Sequence, residues 1–193
     1  MLDNLKKYRI LLASGSPRRK ELLGGLGIDF EVHCLKGIDE SYPVELPADD
    51  VAEYISKKKA AAYREKIRGN ELIITADTVV ICGDKVMGKP TDREDAISML
   101  GQLSGRMHHV VTGVTILSAT QSKSFSVATE VGFSRLTDEE IAYYVDNYRP
   151  FDKAGAYGIQ EWIGFVGVES ISGSYFNVMG LPVQRLYQEL KNW

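Results

Sequence analysis

The stretch ELIITADTVVIC, residues 71–82, decides how this chain folds. It is crowded with Ile, Thr and Val, whose branched side chains suit a pleated surface, so it reads as a central strand. Alternation puts Ile73, Thr75, Asp77 and Val79 on one face and Ile74, Ala76, Thr78 and Val80 on the other. Each face therefore carries a polar break, at 77 or at 78. Gly83-Asp84 then turns the chain into a hairpin with KVMG.

Working outward, RILLA (9–13) reads as a short buried strand that Ser14-Gly15-Ser16-Pro17 breaks. Pro17 opens a helix that runs to Leu26 and ends at Gly27. Residues 28–35 alternate Ile28, Phe30, Val32 and Cys34 with polar residues, which predicts a second strand. Residues 36–48 read as loop and 49–67 as helix. Thr91 is expected to cap a helix over 92–103, with Glu94 completing a capping box. Two long strands follow, 107–117 and 123–135, with a polar turn between them. Thr137 and Glu140 mark another capped helix. Residues 149–164 read as a loop rich in Gly and aromatics, 165–171 as a short strand and 181–193 as a closing helix. Helices interleave with strands, yet 107–135 reads as a hairpin, so the fold class is α/β with a mixed twisted sheet and flanking helices.

The chain has 193 residues, which suits a single domain spanning 1–193. Hydrophobic residues are 44% and charged residues 25%, which excludes bulk disorder and collagen-like repeats. No apolar run approaches the ~18 residues of a membrane span. The start, MLDNLKKYRI, has no apolar signal region, so a cytoplasmic protein is expected. Cys34 and Cys82 lie far apart and outside any CxxC pattern, which fits a reducing compartment and excludes a zinc site built on cysteines. A net charge of −3 argues against a protein that grips nucleic acid through its overall field.

Three features carry chemistry. The first is a helix start of the wrong charge. Helix N-termini favour acids, but Ser14-Gly15-Ser16-Pro17 leads into Arg18, Arg19 and Lys20. Backbone N–H groups, hydroxyls and guanidinium groups together suit a phosphate. The bland alternative is that the serines cap and the arginines are solvated. The second feature is Asp77 inside an apolar strand, where a carboxylate is costly unless paired or metal-bound. Beside phosphates it suits Mg²⁺ binding or water activation, with Asp39 or Glu40 as a second acid. The third is a set of lysines. Val51, Ile55 and Ala62 define a stripe on helix 49–67, and either Lys58 or Lys59 falls beside it. Lys89 follows the hairpin, and the glycine-spaced segment AGAYGIQ (154–160) lets backbone approach a ligand. His33, His108 and His109 show no ligand spacing and read as core or surface residues.

LLASGSPRRKELL (11–23), ITADTVV (74–80), GKP (88–90), AISMLGQLSGRMHHVVTGV (96–114), FDKAGAYGIQ (151–160) and GSYFNVMGLP (173–182) stand in one order along the chain. In these segments the chain resembles the Maf family of nucleoside triphosphate pyrophosphatases, relatives in fold of the inosine triphosphate pyrophosphatases. The resemblance implies two lobes around a central cleft. It implies cleavage between the α- and β-phosphates with Mg²⁺ or Mn²⁺, giving a nucleoside monophosphate and pyrophosphate. Asp77 matches the family's catalytic proton acceptor, and Glu40, Lys59 and Lys89 match charged residues of its cleft, which selects Lys59 over Lys58. Ser14, Ser16, Arg18 and Arg19 match its phosphate loop, and Asp77 with Glu40 would hold the metal. Arg18, Thr78 and Gln160 match the positions associated with the branch acting on dTTP and UTP. A branch acting on 7-methyl-GTP, or a septum-formation regulator that binds nucleotide without turnover, are the alternatives. The resemblance also points to a homodimer.

Overall fold

The computed structural model describes residues 2–193. These form two compact units. One holds the described residues up to Asp77 with 112–127 and 180–193, and the other holds 78–111 and 128–179. A seven-stranded mixed sheet runs in the order β2-β1-β3-β5-β6-β7, with β4 paired to β3. The strands are β1 (Arg9–Leu12), β2 (Glu31–Val32), β3 (Glu71–Cys82), β4 (Lys85–Met87), β5 (Met107–Leu117), β6 (Ser122–Phe133) and β7 (Val168–Ser172). β3, β5 and β6 contribute residues to both units. The mixed α/β class expected from the interleaved pattern is therefore what the chain adopts. Among the described residues, no helix is long and apolar enough to cross a membrane.

In the first unit, β1 pairs in parallel with β2 on one side and β3 on the other, Leu12 opposite Ile74. Helix α1 (Pro17–Gly24) leaves β1 through the serine turn. Its start is local chemistry: Pro17 has the fixed φ that a first helical residue needs, and the Ser16 hydroxyl accepts from Arg19 N–H at 3.4 Å. Helix α2 (Val51–Arg64) buries Val51, Ala52, Ile55, Ser56, Ala60 and Tyr63. Ala62, placed on the buried stripe by the sequence reading, is exposed. The inward face follows Ala60 and Tyr63 instead, because those positions meet Leu11, Ile73 and Leu117.

Two devices seat α2 on the sheet. A Cβ added at Gly113 of β5 would lie 2.3 Å from both Ala52 C and Glu53 N, so strand and helix backbones touch there. Beside this contact runs a buried chain of hydroxyls. Ser56 Oγ pairs with Thr115 Oγ1 at 2.8 Å, Thr115 with Ser124 at 2.8 Å, and Thr75 donates to the Ser56 carbonyl at 2.8 Å. Each buried polar atom in this chain has a partner, so burial does not carry the penalty of an unmade bond.

In the second unit, β3 and β4 form the expected hairpin, Val80 opposite Met87, and β6 pairs antiparallel with β7. Helix α3 (Arg93–Leu103) packs on α4 (Asp138–Tyr148). Thr137 and Glu140 form the full capping box predicted for α4. The cap of α3 differs from expectation: Asp92, not Thr91, accepts from Asp95 N–H at 2.8 Å. Asp92 has the extended backbone a cap needs, and Thr91 instead donates its own N–H to the Asp95 carboxylate. Two further expectations change. Strand 28–35 shrinks to the two exposed residues of β2. Trp162–Gly167 form a short helix, α5, which takes Phe165 out of the strand expected to begin there. Two helices close the list, α6 (Tyr175–Met179) in the second unit and α7 (Val183–Lys191) in the first.

The core of the second unit joins α3 and α4 to Tyr157, Phe133 and Val131. His108 sits in it, 1% exposed, with Nε2 hydrogen-bonded to Tyr157 Oη at 2.8 Å. Of the two roles left open by its lack of ligand spacing, core or surface, His108 takes the core one. Burial, helped by neighbouring His109, pushes its imidazole down to about 4. An unfolded histidine protonates near 6.5, so between these values the unfolded chain binds more protons and stability falls as pH falls. His108 alone should remove roughly 2 kcal/mol by pH 5. Urea midpoints at pH 7 and pH 5 measure this, and the drop should be shallower by about that amount in His108→Gln. An equally steep drop in that variant would assign the acid sensitivity to other groups.

Candidate functional site

Parallel pairing of β1 with β3 sets the carboxyl end of β1 against the middle of β3, Leu12 opposite Ile74, while β3 runs on to Cys82. Ala13 N–H donates to Ile74 O at 2.8 Å, which sets the serine turn alongside Thr75–Asp77. Ligands of α/β sheets commonly lie beyond the carboxyl ends of parallel strands. The first turn of α1 holds no acid. Arg19 is drawn inward: Nε donates to Gly180 O at 2.8 Å, and Nη1 to Ala76 O at 2.9 Å and Ser14 Oγ at 3.4 Å. Burial lowers the pKa of its guanidinium, with Asp77 opposing that shift. Ser14 Oγ also accepts from Ser16 N–H at 3.3 Å. Arg19 thus ties the serine turn to the strand residue immediately before Asp77.

Asp77 is 14% exposed at its side chain, and Lys59 of α2 is 13% exposed. Lys59 Nζ lies 2.6 Å from Asp77 Oδ1 and 3.1 Å from Glu40 Oε1. One ammonium therefore draws two carboxylates to a point. Lys58 does the parallel task one residue earlier, at 2.8 Å from Asp39 Oδ2 and 2.8 Å from Ser41 O. Lys58, with Ser41 N–H and Oγ, holds the Asp39 carboxyl far below the usual range. Successive lysines thus take successive acids, and Asp39, fixed by Lys58, steadies the loop that delivers Glu40. The choice the helical period left open is settled for the ion pair: it is Lys59 that meets Asp77.

Ser14, Ser16, Arg18, Arg19, Glu40, Lys59 and Asp77 all belong to the first unit. Thr78, Lys89 and Gln160 belong to the second unit. Lys89 is exposed, while Thr78 and Gln160 are half-buried. Gln160 Oε1 is itself buried and accepts no hydrogen bond from any described residue. Two residues that reasoning from sequence passed over hold the turn that carries Gln160: Glu161 follows it in the chain, and Tyr144 Oη accepts from Gly158 N–H at 3.0 Å. Tyr144 and Glu161 are hydrogen-bonded to each other, and Glu161 Oε1 lies 3.1 Å from Lys153 Nζ. The available signal was a lysine immediately before the glycine-spaced segment 154–160; Lys153 is 8% exposed at its side chain.

A cation fits this donor set. Two carboxylates converge on a point that an ammonium now occupies, and Mg²⁺ needs only one or two carboxylates when phosphate oxygens and water complete its shell. No group of three or more His, Cys, Asp or Glu among the described residues makes a protein-only cage.

Residues 9–193 match the family described as Maf-like protein. A dTTP/UTP pyrophosphatase of Phocaeicola vulgatus is 61% identical over 191 residues, covering 99% of each chain. The dTTP/UTP pyrophosphatase of Parabacteroides distasonis is 57% identical over 193 residues, the whole of both chains. That of Porphyromonas gingivalis is 54% identical over 195 residues, covering 100% of this chain and 98% of its own. Among solved structures, a HAM1 protein from Coxiella burnetii aligns with a TM-score of 0.49 and 10% identity, over 96% of this chain and 100% of its own.

Proposed function

The chain belongs to the Maf family, and on that premise we propose that it hydrolyses dTTP and UTP to the nucleoside monophosphate and pyrophosphate. The observation that carries the reading is Lys59 drawn between Asp77 and Glu40, beside a helix start that holds arginines where acids would be favourable. Such a place is built for a polyanion and a cation together.

In this reading the triphosphate oxygens meet the Ser14–Ser16 turn, Arg18 and Lys59, and Lys89 keeps the phosphate role that the family resemblance implies for it. Arg19 adds its charge while its N–H groups keep Ser14 in place. Asp77 and Glu40 would hold a divalent metal, Mg²⁺ or Mn²⁺, which supplies charge neutralisation to the phosphate oxygens. The Lys59 bond is to Asp77 Oδ1, which leaves Oδ2 to accept a proton from water. The water oxygen bonds to a phosphorus of the α–β bridge, the bond from that phosphorus to the bridging oxygen breaks, and the water proton passes to Asp77. Phosphoryl chemistry asks mainly for positioning and charge neutralisation, which this inventory supplies. Thr78, Gln160 and Arg18 are the groups we assign to base selection. A role in the cytoplasmic nucleotide pool, carried out by a single domain over 1–193, follows from the same reading.

Pyrophosphate release from dTTP, UTP, CTP, GTP and ATP with Mg²⁺ tests it. The pyrimidine triphosphates dTTP and UTP should be hydrolysed fastest, chelation of divalent ions should abolish turnover, and added Mg²⁺ or Mn²⁺ should restore it. Preferred hydrolysis of GTP, or undiminished turnover under chelation, would refute it.

A further inference from the structure

A second set of buried charges lies wholly within the second unit. Two directed hydrogen bonds and an ion pair run through it. Gly158 N–H donates to Tyr144 Oη at 3.0 Å, Tyr144 donates to Glu161 Oε2, and Lys153 Nζ forms an ion pair with Glu161 Oε1 at 3.1 Å. Lys153 also pairs with Asp152 Oδ1 at 2.8 Å. Burial and the Glu161 carboxylate both push the Tyr144 hydroxyl up, so it stays neutral and keeps the one proton it donates. The direction of both hydrogen bonds at Tyr144 is therefore set.

These contacts close the loop 153–161 on itself. Glu161 N–H also bonds back to Gly158 O at 3.0 Å. A Cβ at Gly158 would lie 2.9 Å from Glu161 Cδ and 3.0 Å from Lys153 Cε, so the loop is drawn as tight as glycine allows. At its other end Gly155 N–H donates to Gly88 O at 3.0 Å, next to Lys89. Gln160 sits inside the 158–161 turn, with Oε1 buried and unpartnered among the described residues. A buried acceptor left without a partner is unfavourable, so it suits a ligand that brings its own donor, such as the ring N–H of a uracil or thymine.

We propose that Glu161, held between Lys153 and Tyr144, is a positioning residue for base selection: it fixes the 158–161 turn so that the Gln160 amide meets the base in one orientation. The inference rests on the reading of Gln160 as a base contact. An amide free to turn over offers either a donor or an acceptor and accepts uracil and cytosine alike. An amide held in one orientation leaves mismatched polar groups unpaired with the wrong base, which is how a site rejects it.

The test is the ratio of kcat/KM for dTTP over CTP in Tyr144→Phe, Glu161→Gln and Gln160→Ala, with folding followed by thermal melts. Both network variants should lower the ratio about tenfold, chiefly through a raised KM for dTTP, with kcat within about twofold. A ratio unchanged in both, or an equal loss with every nucleotide, overturns the proposal. So does failure of both to fold, which would make the chain of bonds a requirement of the fold alone. If one variant folds, it decides. If Gln160→Ala keeps the original ratio, the reading of Gln160 fails and the proposal with it. A Gln160 effect with none from the other two variants fails the proposal alone.

Discussion

Asp77→Asn should lower kcat for dTTP by about 10³-fold while leaving the protein folded. The substitution keeps the shape of the side chain but removes the proton acceptor and one of the two carboxylates that converge on Lys59. Asn can still accept from Lys59, and Glu40 still balances its charge, so the buried ammonium is not left alone. The measurement is pyrophosphate release under saturating dTTP and Mg²⁺, beside a thermal melt. Glu40 lies in a loop and is 49% exposed, so Glu40→Gln should cost less than Asp77→Asn. Activity of Asp77→Asn within a few-fold of the parent would remove Asp77 from the chemistry and leave it only as a partner of Lys59.

Gly113→Ala should be the most destabilising single methyl addition in the first unit. The added carbon would stand 2.3 Å from the α2 backbone, and backbone cannot rotate away as a side-chain tip can. Overpacking of this kind costs about 3 kcal/mol, which for a chain of this length lowers Tm by roughly 10 °C. The effect should reach function as well. α2 carries Lys59, and its displacement would separate Lys59 from Asp77, so the folded fraction should show a raised KM for dTTP. A melt within 2 °C of the parent would show that α2 yields without cost.

The long strands, α2 and the α4 capping box were legible because each is written in local periodicity or in residues three apart. Where the reading failed, neighbours in space decided. Ile28, Phe30, Val32 and Cys34 alternate, but Val32 and Cys34 face solvent, so their pattern has no core to serve. Thr91 and Asp92 are both good caps, and only the backbone angles at 92 choose between them. Of the candidate site, Asp77 and the serine–arginine turn stand out from sequence alone, one as an acid in a greasy strand and the other as cations at a helix start. Periodicity could not separate Lys58 from Lys59, because both flank the buried stripe. The Tyr144–Glu161 bond joins residues 17 apart, and no spacing rule links a helix to a loop over that distance.

Three lysines in succession, 57 to 59, make the chemistry of α2 ambiguous in a way its packing resolves. A helix resting on grease alone tolerates small rolls and slides, and any roll would offer Asp77 a different ammonium. Hydroxyl bonds have direction, and those from Thr75 and Thr115 to Ser56 act as an index pin three residues ahead of Lys59. The buried threonines and serine therefore serve selection among identical side chains more than they serve cohesion.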